Sequence, residues 1–172
     1  MILREFQRIK VVVLDVDGVL TDGRVLVTES GEQLRMFHVR DGYAMQEAIK
    51  ARIQIWVISG GQSIGVEKRL RGLGIEHIFL GVADKKNLLQ ELMRNFDVDA
   101  DVVMYVGDDM PDLDAMQLVG LPACPSDAAE EIKAISRYMS PGKGGAGAVR
   151  DILEKVLKIQ GKWPSTINSK SI

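Results

Sequence analysis

A three-layer α/β/α domain around a mainly parallel, Rossmann-like sheet is the fold class this chain predicts, on three observations. The runs Val11–Leu14, Ile53–Ile58 and Val102–Val106 are short, continuous and rich in β-branched residues, as expected of strands buried on both faces. Segments of helical periodicity separate them, and that alternation argues parallel pairing through right-handed crossovers. Each run ends in polar residues and glycine, namely Asp15-Val16-Asp17-Gly18, Ser59-Gly60-Gly61 and Gly107-Asp108-Asp109. Open α/β sheets bind ligands at that end of their strands.

Taken in order, Ile9 to Leu14 reads as the first strand. Gly23 to Val39 alternates like a hairpin, with Val25, Val27, Leu34, Met36 and Val39 apolar around the turn Ser30-Gly31-Glu32. Asp41 is placed to cap a helix carrying Met45, Ala48 and Ile49. Ile53 to Ile58 is a buried strand, and a helix from Ser63 to Leu73 follows, closed by Gly74. Ile78-Phe79-Leu80 is the next strand, Asp84 opens a helix to Asn95, and Val102 to Val106 is a strand. Shorter αβ units lead to a last amphipathic helix, Ala148 to Ile159. One domain over residues 1–160 is expected, with a polar, mobile tail over residues 161–172.

The 172 residues suffice for a single core that buries roughly 70% of the surface of the unfolded chain. A net charge of −2 offers no footprint for nucleic acid or an anionic membrane. The single cysteine, Cys124, excludes an internal disulfide and suits a reducing compartment. No apolar run approaches the roughly 18 residues of a membrane span, and no signal-peptide segment is evident. A soluble cytoplasmic protein is expected.

The strand ends carry the chemistry. Asp15 and Asp17 stand two residues apart, so on a strand they share a face and enter one crevice. Two such acids repel unless a cation lies between them, which suggests a nucleophile and a proton shuttle at a Mg²⁺ site. The alternative is an acidic strand end that caps the next loop. The Ser59 hydroxyl and the N–H groups after it could hold a phosphate oxygen, with Gly60 and Gly61 allowing close approach. Lys85, with Lys86 as its competitor, could add positive charge at a helix start. Gly107-Asp108-Asp109-Met110-Pro111-Asp112 places three carboxylates in five residues, a density of hard oxygen donors that suits Mg²⁺. Helix capping explains Asp109 or Asp112 singly, but not all three acids.

In this order the four sites resemble the haloacid dehalogenase superfamily of phosphohydrolases, over about residues 9 to 155. The specific segments are Asp15-Val16-Asp17-Gly18-Val19-Leu20-Thr21-Asp22-Gly23 and Gly107 to Asp112. The resemblance implies that Asp15 attacks phosphorus to form an aspartyl-phosphate. It implies that Asp17 protonates the leaving alcohol and then activates water, and its surroundings are expected to raise its pKa for that role. Ser59 and Lys85 would bind the transferring group. Asp15, Asp108 and the backbone carbonyl of Asp17 would hold Mg²⁺, with Asp109 and Asp112 in support.

The gaps between these sites have no room for the cap domain that most members insert, so the capless subgroup is expected, with the hairpin protruding. Within it, Arg40-Asp41-Gly42-Tyr43-Ala44, Gly120-Leu121-Pro122-Ala123-Cys124-Pro125 and the Gly142–Gly147 cluster before Ala148-Val149-Arg150-Asp151 look like the 3-deoxy-D-manno-octulosonate 8-phosphate phosphatases of lipopolysaccharide synthesis. That resemblance implies a sugar-acid phosphate substrate and a homo-oligomer, by family a tetramer, in which the hairpins pair and the tail can reach a neighbour's site. Two departures stand out. Gly61-Gln62 follow Gly60 where members often carry an arginine, and the glycine-rich loop has Lys143 and Ala146 in place of arginines. Recognition of the sugar carboxylate is then expected from Arg40, Lys143, Arg69 or Arg150. A 9-phosphorylated nonulosonate is the alternative substrate, and a receiver-like phospho-signalling domain the alternative of a different class.

Overall fold

Four residues that are apolar toward both sides, Val11-Val12-Val13-Leu14, form β1 (Val11–Leu14) at the centre of the sheet, where all four are fully buried. The computed structural model describes residues 2–164. β1 pairs in parallel with β4 (Gln54–Ile58) on one side and with β6 (Val103–Val106) on the other. β5 (His77–Phe79) extends the sheet beyond β4, while β7 (Leu121–Cys124) and β8 (Tyr138–Met139) extend it beyond β6. All six strands run parallel. β2 (Leu26–Val27) and β3 (Gln33–Leu34) form a separate antiparallel hairpin.

Strand alternation sorts the core into two layers. Val12 and Leu14 join Met104, Val106, Ala123 and the apolar faces of α2 (Val39–Lys50), α3 (Ile64–Gly72) and α7 (Ala148–Ile159). Val11 and Val13 join Trp56, Tyr105 and the helices α4 (Lys85–Asn95), α5 (Leu113–Met116) and α6 (Glu130–Ile135). Each fully buried Val or Leu is worth roughly 1.5–3 kcal/mol. The odd-numbered side of β1 therefore faces α4, and Asp15 continues that side at the strand's end.

Among the described residues nothing of domain size lies between β1 and β4 or between β5 and β6, so the site has no cap. The hairpin is shorter than the alternation suggested, and Val39 opens α2 rather than ending it. Leu26, Val27, Leu34 and Met36 stand in solvent, Met36 at 78% exposure. An amino-terminal helix, α1 (Ile2–Arg8), packs against α7 through Phe6, an element that periodicity over seven residues does not announce. Asp41 does not cap α2: His38 does, its Nδ1 accepting from the Arg40 N–H. Beyond Gly161, Trp163 packs back onto Tyr43 and Arg150. The remainder of the expected tail, from residue 165, lies outside the described residues.

Candidate active site

At the carboxyl end of β1 the Asp15 N–H still donates to Val106 O, after which the chain breaks from the sheet. It turns tightly over Val16–Leu20, closed by the Thr21 N–H on Val16 O at 3.1 Å. Gly18 makes this turn with φ +91°, and a Cβ there would lie 1.9 Å from Asp108 Oδ2, so only glycine fits. Asp15 and Asp17 do line one cleft, as expected, but the turn brings them there and not the period of a strand.

The cleft, about 320 Å³, is lined by Asp15, Asp17, Ser59, Gly60, Lys85, Asp108, Asp109 and Asp112 among others. Lys85 is the first residue of α4, which Asp84 caps by accepting from the Asn87 N–H. Lys85 is 6% exposed, and its ammonium reaches Asp15 Oδ1 at 2.9 Å and Asp112 Oδ1 at 2.7 Å, whereas Lys86 faces solvent. The Tyr105 hydroxyl donates to the same Asp112 oxygen at 2.9 Å, and the Asp108 N–H donates to Asp112 Oδ2. Ser59 is buried, its hydroxyl accepting from the Gly61 N–H. Asp109 caps the turn Met110–Asp112 through the Met110 N–H while still bordering the cleft.

Carboxylate oxygens of Asp15, Asp108 and Asp112 lie within 4.8 Å of one another, and Asp108 Oδ1 is buried with no hydrogen-bond partner among the described residues. Burial, then the Asp112 charge, pushes Asp15 up to about 7 against the pull of Lys85. Burial, then Asp15 and Asp112, likewise pushes Asp108 up to about 7. Burial alone would lower the Lys85 ammonium, but its two carboxylate partners outweigh it and raise it. Crowded, hard, oxygen-only donors with one oxygen left over fit a Mg²⁺-class cation. Asp112, expected in support, places an oxygen in the same cluster while both its oxygens accept hydrogen bonds, from Lys85, Tyr105 and the Asp108 N–H.

The Asp17 side chain turns instead to Arg35, which holds it at 2.6 and 3.1 Å. Arg40 and Lys143 are exposed, and neither lines this cleft. Arg69 sits against Gly42, and Arg150 stacks over Tyr43 and Trp163 while pairing with Glu154. Within one chain, none of the four basic residues expected to meet a sugar carboxylate borders the acidic cluster.

Residues 72–152 match the model of the haloacid dehalogenase-like hydrolases. The chain is 35% identical over 161 residues to the 3-deoxy-D-manno-octulosonate 8-phosphate phosphatase of Salmonella typhi, covering 94% of this chain and 86% of that one. The chain belongs to the haloacid dehalogenase-like hydrolases. The Haemophilus influenzae phosphatase of the same name is 37% identical, covering 92% of this chain and 88% of that one. The Moraxella catarrhalis phosphatase, solved in complex with magnesium ion, phosphate ion and a KDO molecule, superposes with TM-score 0.90 at 34% identity, over 93% of this chain and 92% of that one. These relatives leave the receiver-like alternative without support.

Of the residues that meet the carboxylates of this cleft, Arg35 and Tyr105 were not legible in the sequence. Tyr105 reads as one more residue of an apolar strand, and its hydroxyl meets Asp112 only because its side of β6 packs in the layer with α4. Arg35 reads as an ordinary charge on a hairpin edge. Its one distinguishing signal is its place directly between the exposed apolar residues Leu34 and Met36.

Proposed function

We propose that this chain is a Mg²⁺-dependent phosphatase that converts 3-deoxy-D-manno-octulosonate 8-phosphate to the free sugar acid and phosphate through an aspartyl-phosphate. The observation that carries it is the buried Asp15 carboxylate, 2.9 Å from the Lys85 ammonium and clustered with Asp108 and Asp112. Asp15 supplies the oxygen that bonds to phosphorus as the ester P–O bond breaks. The departing oxygen takes a proton from Asp17, which then withdraws one from the water that cleaves the aspartyl-phosphate. Ser59, the Gly60 backbone and Lys85 hold the phosphoryl oxygens, where positioned positive charge is most of what phosphoryl transfer needs. Asp15, Asp108 and the Asp17 carbonyl would hold the ion, with Asp112 beside them and Asp109 at the rim. When bound, the ion neutralises charge on the transferring group.

Identity of 34–37% to octulosonate 8-phosphate phosphatases over most of the chain supports this substrate over a nonulosonate 9-phosphate. The exposed apolar hairpin supports a homo-oligomer, by family a tetramer, whose neighbouring copies supply Arg40 or Lys143 to the sugar carboxylate. Cys124, reduced and buried, fits a cytoplasmic location.

Phosphate release from phosphorylated sugar acids, with and without Mg²⁺, tests the reaction. Turnover of the octulosonate ester at least about tenfold above the nonulosonate ester, a 1.4 kcal/mol preference, is expected. The reverse preference would replace the substrate, and no turnover of either ester would end the phosphatase reading. Sedimentation at micromolar concentration tests the assembly, which a monomer would refute.

A further inference from the structure

Residues 25–36 project from the domain with their apolar side chains in water, yet Arg35, between the exposed Leu34 and Met36, turns inward. Its side chain is only 6% exposed. Nε donates to Asp17 Oδ1 at 2.6 Å and Nη2 to Asp17 Oδ2 at 3.1 Å, a bidentate fork, while Nη1 donates to Gln33 O at 3.3 Å. The guanidinium plane is thus set by the hairpin's own backbone. Among the described residues, every other hydrogen bond of segment 25–36 stays within that segment. The Asp17 carboxylate in turn has no other hydrogen-bond partner among the described residues.

From the far side, the turn after β4 closes on the pair. A Cβ at Gly61 would lie 3.1 Å from Arg35 Nη2 and 3.3 Å from Asp17 Oδ2, with Ser59 Oγ at 3.8 Å. Asp17 Oδ2 therefore borders the Gly61 position in the turn that follows Ser59. A fork that grips both oxygens still leaves each a second lone pair.

We propose that Arg35 is a positioning residue for Asp17, fixing the carboxylate plane of the acid–base group and coupling it to the hairpin. This rests on the phosphatase reading above, in which Asp17 gives its proton to the departing ester oxygen. A long side chain that merely anchored the hairpin would have no reason to meet the one carboxylate whose orientation the reaction uses. A lysine in its place would supply a single charge point without the planar grip on both oxygens.

The test separates positioning from anchoring by leaving group. Phenyl phosphate and p-nitrophenyl phosphate have nearly the same shape, but p-nitrophenolate departs with little need of a proton and phenolate does not. Arg35→Gln is expected to lower kcat/KM for phenyl phosphate by on the order of 10²-fold, the low end of what a positioned general acid contributes, and for p-nitrophenyl phosphate by less than about fivefold. KM should stay within about threefold for both, and Arg35→Lys should recover part of the loss, since it restores charge but not the fork. An equal loss on both esters, or none on either, would overturn the positioning role. A wild-type protein that hydrolyses neither ester with Mg²⁺ would instead overturn the phosphatase reading. Circular dichroism of both variants, expected to match the wild type, keeps loss of fold out of the comparison.

Discussion

Asp41 on α2 accepts a 2.7 Å hydrogen bond from the backbone N–H of Arg150, 109 residues further along the chain. The carboxylate thereby caps α7, whose own N-cap residue, Gly147, has no side chain to offer. Burial pushes the Asp41 carboxyl up, and the Arg150 and Gly147 N–H groups pull against it. The contact fastens the two helices of one core layer at the end nearest the glycine-rich loop.

Asp41→Ala is accordingly expected to cost about 1–2 kcal/mol, as other lost N-caps do. Asp41→Asn keeps an accepting oxygen and should cost less than half as much. Urea unfolding of the two variants checks this, and equal losses would remove the capping role.

Lys85 neutralises two buried carboxylates at once, so Lys85→Met leaves Asp15 and Asp112 facing each other without it. Breaking a buried pair by removing one partner typically costs about 3–5 kcal/mol. That loss is expected in metal-free protein at alkaline pH, with Mg²⁺ restoring part of it. Thermal unfolding with and without the ion measures both effects.

The acids also set the direction of the pH dependence. Asp15 and Asp108 titrate near 7 in the folded, metal-free chain, against an ordinary 3.8. The folded state then binds more protons across that interval, so these groups make stability fall as pH rises from about 4 to about 7. Mg²⁺ must displace the same protons, and its stabilising effect should grow from about pH 6 to about pH 8. Asp15→Asn should raise metal-free stability at the upper pH, because it removes a charge that folding disfavours. The same variant should lose turnover by on the order of 10⁴-fold or more. Melting curves at the two pH values, paired with phosphate release, test both halves.

The glycine-rich loop braces the turn Val16–Leu20 from behind. A Cβ on Gly144 would lie 1.8 Å from Gly18 O, while the Gly144 N–H is held by Asp127 Oδ1 and the Gly145 N–H by Val19 O. Gly144→Ala should destabilise by roughly 1–3 kcal/mol, as overpacking does, and lower kcat by displacing Gly18 and with it Asp108. Gly72→Ala, with nothing within 4 Å of its Cβ, serves as the control and should be neutral or slightly stabilising.

The order of strands and helices was legible because its signals are local. β1, β4 and β6 are β-branched runs, and Ser63 and Asp84 announce α3 and α4 by capping them. That Asp15, Ser59, Lys85 and Asp108 would meet in one cleft was legible because each stands where a strand ends or a helix begins. Arg35, Tyr105 and the true role of Asp41 were not. Arg35 resembles any hairpin charge, Tyr105 any core aromatic, and Asp41 sits three residues into the helix it was expected to cap. Arg40 and Lys143 showed the converse: a basic residue in a suggestive motif need not border the acids of its own chain.

Residue order alone specified the parallel α/β architecture, the missing cap and the acids at the strand ends, since hydrophobic period and capping chemistry are written within a few neighbouring positions. Folding in three dimensions chose the partners: Arg35 for Asp17 across 18 residues, Lys85 for Asp112 across 27, and Asp41 for the start of α7 across 109. The reason is physical. Buried charges and helix ends must be satisfied by whatever the packed layers bring within about 3 Å, and sequence spacing says little about which group that is.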